Sequence, residues 1–166
     1  MPLHEALIAE LKHESTLTRK MLERVPLDQG DWKPHEKSMT LARLATHIAD
    51  ITHWITDIHR IDDFDFLKDY NFKPVIAASP EILLGIFQKN LDRALETMAG
   101  MGDEEMSKLW TVRRGEQVMF SIPKKVALRG WAFNHMVHHR GQLSVYLRLL
   151  GVPVPGMYGP SADEQV

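Results

Sequence analysis

The sequence predicts an all-α protein, a four-helix bundle in a single domain spanning residues 1–166, with a short β-hairpin before the last helix and an extended C-terminal tail. Two observations favour this fold. Apolar residues recur three and four positions apart in four separate segments, as the inward face of a packed helix requires. The chain has 166 residues, of which 44% are hydrophobic, and this is enough to bury one core of ordinary size.

The first two helices are predicted from their apolar spacing. Helix one spans Leu3–Leu22, and Pro26 together with the region of Gly30 ends it. Helix two spans about residues 40–60. Its inward positions are Leu41, Leu44, Ile48, Ile51, Ile55 and Ile58. Because these positions alternate between steps of three and four, helix two should present one continuous face to the core.

Helix three follows a segment, residues 62–78, whose acidic and aromatic residues show no period. Ser79 precedes Pro80, the combination of an N-cap serine with a proline at the first helical position, so the helix should begin there. Its apolar positions are Leu83, Leu84, Phe87, Leu91, Leu95 and Met98. Gly100 should mark its end.

The hairpin, the last helix and the tail complete the predicted fold. Apolar residues alternate from Trp110 to Ile122 on either side of Arg114 and Gly115, which predicts a short hairpin beside the bundle. Helix four should begin at Pro123 and end near Gly151. Its inward positions are Leu128, Ala132, His135, His139, Leu143, Tyr146 and Leu150. Residues 152–166 are rich in proline and glycine, so we expect an extended tail lying across the bundle.

Composition excludes several classes of function. The chain has 20 Lys and Arg against 22 Asp and Glu, and no basic stretch, so nucleic acid is not an expected partner. No apolar run approaches the roughly 20 residues that span a bilayer, and the first ten residues resemble no targeting peptide. We therefore expect a cytoplasmic protein without a membrane partner. Because there are no cysteines, a metal would have to bind His, Asp or Glu.

Two of the nine histidines form the first candidate metal-binding pair. His135 and His139 are four residues apart, so on a helix they lie on one face with Cβ atoms roughly 5 to 6 Å apart. Chance alone would give roughly 0.5 such pairs in this sequence, so the spacing by itself is weak. Their position in the inward face of helix four is stronger, because unsatisfied buried imidazoles are costly. The alternative, a pair of hydrogen-bonded core histidines, stays open.

The third candidate ligand is His47 on helix two. His53 points nearly opposite the core by helical geometry, whereas His47 and His59 both flank the isoleucine face. His59 is roughly 18 Å further along the helix axis than His47, at the helix end, while the pair on helix four is near mid-helix. His47 is therefore the better partner for His135 and His139.

Three segments resemble the DinB-like, or YfiT-like, family of metal-binding bundles. They are residues 44–48 (LATHI), residues 134–143 (NHMVHHRGQL) and residues 159–164 (GPSADE). The resemblance implies a bundle of up-down-down-up order, usually a homodimer, with nickel or zinc on a histidine triad. Carried over by position, that triad falls on His47, His135 and His139.

The predicted site implies chemistry on a small-molecule substrate. Three neutral imidazoles leave a divalent ion with its full charge and an open position, and the resemblance implies that a few relatives transfer small thiols onto electrophiles. We therefore expect a metal-dependent hydrolase or a low-molecular-weight-thiol S-transferase. Asp50 and Glu14 are the candidates for a general acid or base. Arg140 and Gln142 lie beside the histidine pair, where the alternatives are orientation of an anionic substrate and, as we rather expect, a surface role with a salt bridge of Arg140. The alternatives are a non-catalytic, metal-stabilised binding or dimerisation module, and a metal-free helical dimerisation protein.

Overall fold

The computed structural model describes residues 2–70 and 75–164. Its helices, strands and helical turns follow one another along the chain in this order: α1 Leu3–Leu22, a 3₁₀ turn Leu27–Gln29, α2 Leu41–Asp50, α3 His53–Arg60, β1 Asp63–Asp65, α4 Pro80–Ala99, α5 Asp103–Ser107, β2 Leu109–Arg114, β3 Gln117–Pro123, α6 Lys124–Ala127, a π-helical segment Leu128–Asn134 and α7 His135–Leu149. The protein is thus mostly helical and carries a small three-stranded sheet.

Two of the predicted helices form with the expected bounds. Helix α1 spans Leu3–Leu22, and α4 spans Pro80–Ala99 with Ser79 as its N-cap. The Ser79 hydroxyl accepts a hydrogen bond from the backbone N–H of Ile82 at 3.3 Å, which satisfies one of the free donors of the first turn. Among the described helices, none combines the length and apolar character that a membrane crossing requires.

The predicted helix two is divided into α2 and α3. The break lies at residues 51–52, where the N–H of Trp54 bonds the carbonyl of Ile51 at 3.2 Å, a tightened i to i−3 bond. The carbonyl of Asp50, which Trp54 would otherwise use, instead accepts from Nδ1 of His53 at 2.6 Å. A histidine side chain that competes for a backbone carbonyl therefore explains why a continuous helix was the wrong prediction.

The predicted helix four contains a π-helical segment that the sequence pattern did not indicate. The chain passes from α6 through Leu128–Asn134, with wider i to i−5 turns, into α7 at His135. Such segments occur often at functional sites, and this one ends where the candidate ligands begin. The predicted inward residues Leu128 and Ala132 are buried, and Phe133 is buried and Trp131 half-buried in addition.

The predicted hairpin is present and gains a third strand. Strands β2 and β3 pair antiparallel, and Gly115 adopts a positive φ of 61° at their turn. Strand β1 pairs parallel with β2 and comes from the segment 62–78 that was expected to lack regular structure. The carboxylate of the buried Asp65 accepts hydrogen bonds from the N–H groups of Leu67 and Gly115, both at 2.9 Å. Residues 71–74 of that segment lie outside the described part.

The C-terminal tail is extended, as predicted, and ion pairs hold it to α7 and to the segment that follows α1. Asp163 accepts two hydrogen bonds from Arg148 of α7, at 3.1 and 2.6 Å. Glu164 pairs with Arg24, just after α1, at 2.6 Å. Residues 165–166 of the predicted tail lie outside the described part.

The histidines lie where two apolar clusters meet. Along α2 and α3, one cluster includes Leu44 and Ile48, and the other begins at Ile51. In the last helical region, Met136 belongs to the same cluster as Ile51, and Leu143 belongs to the same cluster as Leu44 and Ile48. The polar site is therefore built between two packed hydrophobic regions.

Candidate metal centre

The structure brings the three predicted histidines together. His47 comes from α2, His135 is the first residue of α7, and His139 follows one turn later. Each offers one ring nitrogen to a common region, and these three atoms lie within 4.8 Å of one another. The predicted convergence of the three imidazoles is confirmed.

The spacing of one pair of ring nitrogens fits a tetrahedral ion, and the third nitrogen lies within 4.8 Å of both. Nε2 of His47 and Nε2 of His135 are 3.2 Å apart. Two nitrogens bound at about 2.0 to 2.1 Å in tetrahedral geometry are about 3.3 Å apart. The ring centroids of His139 and His47 are 4.6 Å apart, and those of His139 and His135 are 4.7 Å apart, so all three rings surround one small volume.

The outward nitrogens of two histidines are hydrogen bonded to oxygen. Nδ1 of His135 faces the carbonyl of Trp131 at 3.2 Å, and Nδ1 of His139 faces Oε1 of Gln142 at 2.7 Å. An oxygen acceptor keeps the proton on Nδ1 and leaves the lone pair of Nε2 directed to the centre, which is how metal-bound histidines are usually oriented. The amide nitrogen of Gln142 in turn lies 3.0 Å from Nε2 of His138. Gln142 thus supports His139, as its position three residues later on a helix could have suggested.

Burial keeps the three imidazoles neutral. Desolvation, with smaller contributions from His139 and His135, lowers the pKa of His47 to about 4. Burial also lowers the pKa of His135 and of His139. Neutral imidazole is the form that binds metal. Among the residues that the structure describes, no carboxylate belongs to this cluster, so an ion here would keep its full charge.

Asp50 is close to the histidines and is held by two neighbours. Its carboxylate accepts from Nδ2 of Asn90 at 3.0 Å and lies 3.3 Å from Nδ1 of His53. Burial acts to raise the pKa of Asp50, but its bonds with His53 and Asn90 outweigh burial and lower it. His53, expected to point away from the core, is half-buried and forms part of this network because the helix breaks just before it.

Glu14 occupies a different environment from the histidines. Its carboxylate pairs with the Arg140 guanidinium at 2.6 Å and accepts from the Tyr158 hydroxyl at 2.8 Å. It is not a member of the 4.8 Å cluster. Arg140, expected at the surface, is only 2% exposed and also donates to Oγ1 of Thr18 at 3.0 Å. The prediction of a surface salt bridge for Arg140 was wrong because the guanidinium is buried between α7 and α1.

Two cavities lie beside the site. The larger, about 450 Å³, has His139 in its wall, and its lining consists of Lys37, Ser38, Met39, Leu44, His139, Gln142, Val145 and Tyr146. The smaller, about 300 Å³, is lined by Asp50, His53, Trp54, Asp57, Phe64, Asp69 and Tyr70. We refer to them as the Lys37 cavity and the Asp57 cavity. Both volumes are within or at the edge of the range of small-molecule sites.

Comparison with known proteins gives a consistent family. The model of the DinB family matches residues 1–165. The fold is similar to that of a DinB-like protein from Bacillus cereus, with a TM-score of 0.71, 23% identity and coverage of 93% of this chain and 97% of that chain. It is also similar to the DinB-like protein YjoA from Bacillus subtilis, with a TM-score of 0.67, 17% identity and coverage of 88% and 92%. The uncharacterized Bacillus subtilis protein YrdA is 53% identical over 30 residues, a match that spans 18% of each chain.

Proposed function

The chain belongs to the DinB family, and on this premise we propose that His47, His135 and His139 hold one divalent ion, zinc or nickel, in a metal-dependent enzyme that acts on a small molecule. The observation that carries the proposal is the 3.2 Å separation of two Nε2 atoms in a cluster that contains no carboxylate among the described residues. Two imidazole nitrogens at this distance either share a proton or share an ion. The oxygen acceptors on Nδ1 of His135 and His139 support the ion, because they leave the Nε2 atoms of these two histidines without a proton and able to bind a metal.

The reaction class that fits this centre is hydrolysis or transfer of a low-molecular-weight thiol. A divalent ion on three neutral imidazoles lowers the pKa of a bound water or thiol and so supplies a nucleophile near neutral pH. The chain's own contribution to proton transfer is proposed for Asp50, which His53 and Asn90 orient. Glu14 is the weaker candidate because its carboxylate is already engaged by Arg140 and Tyr158.

A second function is favoured by where the histidines come from. One lies on α2 and two lie on α7, so an ion would link two helices that are distant in sequence. In that case the ion would stabilise a binding or dimerisation module without turnover, as structural metal sites do. The two functions predict the same metal content and differ in activity.

The remaining proposals concern the order of the helices, the oligomeric state and the location of the protein in the cell. Helix α1 packs against α4 and α7, and α2 packs against the same two helices, which supports the up-down-down-up bundle as the finer description of this helical fold. We further propose that the protein works as a homodimer in the cytoplasm.

The first experiment measures metal in the untagged protein. We expect about one zinc or nickel ion per chain by elemental analysis, and a melting temperature that falls on chelation and recovers on metal addition. An ion present at 100 times its dissociation constant stabilises the fold by about 2.7 kcal/mol. His135→Ala should abolish both effects, whereas His13→Ala, which changes an exposed histidine outside the cluster, should abolish neither. Unchanged melting with chelator and no bound metal would contradict the proposal.

The second experiment separates an enzyme from a module. The metal-loaded protein is screened with low-molecular-weight thiols plus electrophiles and with activated esters. Activity that His135→Ala abolishes and Asp50→Asn reduces would support the enzyme. Activity that survives His135→Ala would contradict metal-centred catalysis, and a metal-loaded protein inactive across both classes of substrate would favour the module.

A further inference from the structure

The Lys37 cavity and the Asp57 cavity lie on opposite sides of the histidine cluster, along one line of contacts between two helical regions. The Tyr146 hydroxyl donates to the carbonyl of Met39 at 3.1 Å, the rings of His47 and His139 are 4.6 Å apart, and those of Trp54 and Trp131 are 5.1 Å apart. From one contact to the next, the residue numbers rise from Met39 to Trp54 in the first region and fall from Tyr146 to Trp131 in the second. The two helical regions are therefore antiparallel, with the histidines midway along the line of contacts.

The two cavities are lined by side chains of opposite charge. The Lys37 cavity lies towards Tyr146 and is lined by one cationic side chain and no acidic one. The Asp57 cavity lies towards Trp54, and the carboxylates of Asp50, Asp57 and Asp69 line it. An anion is repelled from the acidic end and attracted to the other, because charged walls of low dielectric concentrate the field in a cleft.

The cations at the positive end have no acidic partner within the described part of the chain. Neither Lys37 nor Arg43, which lies one turn before His47 on α2, forms an ion pair there. The buried basic side chains Arg140 and Lys124, in contrast, are both paired with carboxylates. Lys37 is therefore free to pair with a ligand at the mouth of the cavity.

The walls of the Lys37 cavity favour an apolar body. Met39, Leu44 and Val145 contribute aliphatic surface, and Tyr146 contributes a ring. The polar groups in the lining, Ser38 and Gln142, are neutral. A cavity of about 450 Å³ with mostly apolar walls and a few polar groups is typical of a small-molecule site.

We propose that the Lys37 cavity binds an organic anion, with its charged group at Lys37, its apolar body on Met39, Leu44 and Val145, and its other end beside His139. This names the substrate class of the proposed metal centre and so rests on the proposed function. An exposed ammonium and an apolar wall act on different parts of the ligand, so their contributions can be measured separately.

The test titrates carboxylates of increasing length into the metal-loaded full chain by calorimetry. Acetate, butyrate and hexanoate are the probes, and hexylammonium is the control of opposite charge. We expect affinity to increase about three- to fourfold for each methylene that becomes fully buried, and hexylammonium to bind at least tenfold more weakly than hexanoate. Equal affinity for the three carboxylates, or for hexylammonium and hexanoate, would overturn the inference.

Two matched lysine variants test whether the carboxylate of the ligand lies at Lys37. Lys37→Gln should weaken hexanoate binding about fivefold, the upper end for an exposed ion pair. Lys33→Gln changes a lysine of the same loop that does not line the cavity and should have no effect. Affinity that rises with chain length but is unaffected by Lys37→Gln would place the carboxylate away from Lys37 and contradict the inference.

Metal content, measured for each variant, separates the two proposals. Protein with one ion that binds no hexanoate contradicts this inference and leaves the metal centre in place. Protein without an ion contradicts the metal centre, and the same titration is then made on that metal-free protein. Hexanoate binding that depends on Lys37 would still support the cavity, and absence of binding would overturn it.

Discussion

His139 and Arg140 are neighbours in the chain, and both are nearly buried, with 8% and 2% of their surfaces exposed, but their polar groups are satisfied in opposite ways. Arg140 belongs to an arginine cluster with Glu14, Thr18 and Tyr158. There the guanidinium donates to Glu14 and Thr18, and the Tyr158 hydroxyl donates to Glu14. Opposite charges and matched donors make this cluster complete within the chain.

The histidine cluster has no such internal match. Like groups converge, since the Nε2 atoms of His47 and His135 face each other at 3.2 Å, and no described carboxylate joins them. The difference shows how to read buried polar groups. A cluster whose donors and acceptors satisfy one another stabilises the fold, whereas a cluster of imidazole nitrogens directed at one point can bind a cation.

The largest expected effect is on the arginine cluster. Arg140→Met should lower the free energy of unfolding by about 3 to 5 kcal/mol, because it leaves the Glu14 carboxylate buried without its counter-charge. Urea unfolding monitored by circular dichroism measures the change. Arg129→Met is the matched control, since Arg129 makes a two-bond pair with Glu10 at the surface and should cost about 1 kcal/mol or less. Equal losses in the two variants would mean that the buried arginine cluster stabilises the fold no more than a surface ion pair does.

The next effect is on metal affinity through Gln142. Gln142→Leu removes the oxygen that holds Nδ1 of His139 at 2.7 Å, and loss of such a partner typically lowers metal affinity about 10- to 100-fold. Competition with a chromophoric chelator measures the dissociation constant. Gln142→Glu keeps an oxygen acceptor and should restore affinity. If Leu and Glu at this position give the same affinity as Gln, the side chain does not orient His139.

A smaller effect is expected from pH on the metal-free protein. Burial lowers the pKa of His47 from 6.5 to about 4, so as pH falls through 6.5 the unfolded chain takes up a proton that the folded chain does not. The free energy of unfolding should therefore decrease between pH 6.5 and about 4, by about 1 to 2 kcal/mol after allowance for solvent screening of a half-buried ring. Urea unfolding at several pH values measures this slope. His47→Leu should reduce it, and an unchanged slope in that variant would assign the pH dependence to other groups.

The same contrast explains what could be predicted from the sequence. The three histidines were predicted because helical spacing fixes both the direction of a side chain around the helix axis and its position along that axis. Helix α4 was predicted because Ser79 and Pro80 favour a helix start at their own position. The break after Asp50 was missed because it depends on one histidine taking a backbone carbonyl.

Arg140 was misplaced for a related reason. Its burial depends on Glu14 and Tyr158, which are 126 and 18 residues away in the chain. Strand β1 was missed because each of its three residues pairs with a residue of β2 that is 48 positions further along the chain, and three residues are too few to show a pattern. Features set by regular spacing were predictable, and features set by one particular contact, whether near or distant in sequence, were not.

The smallest effect on folding should come from His139→Leu in the metal-free protein, although this variant removes a proposed ligand. His139 lies where two apolar clusters meet, and a leucine there gains burial while losing one hydrogen bond to an exposed glutamine that water can replace. The change in the free energy of unfolding should stay within about 1 kcal/mol, while metal no longer raises the melting temperature. The roles of the two neighbouring residues would then be distinct, since the fold would require Arg140 and ion binding would require His139. A loss of about 3 kcal/mol or more in metal-free His139→Leu would show instead that the histidines form an internally satisfied core network, and the distinction between the two clusters would fail.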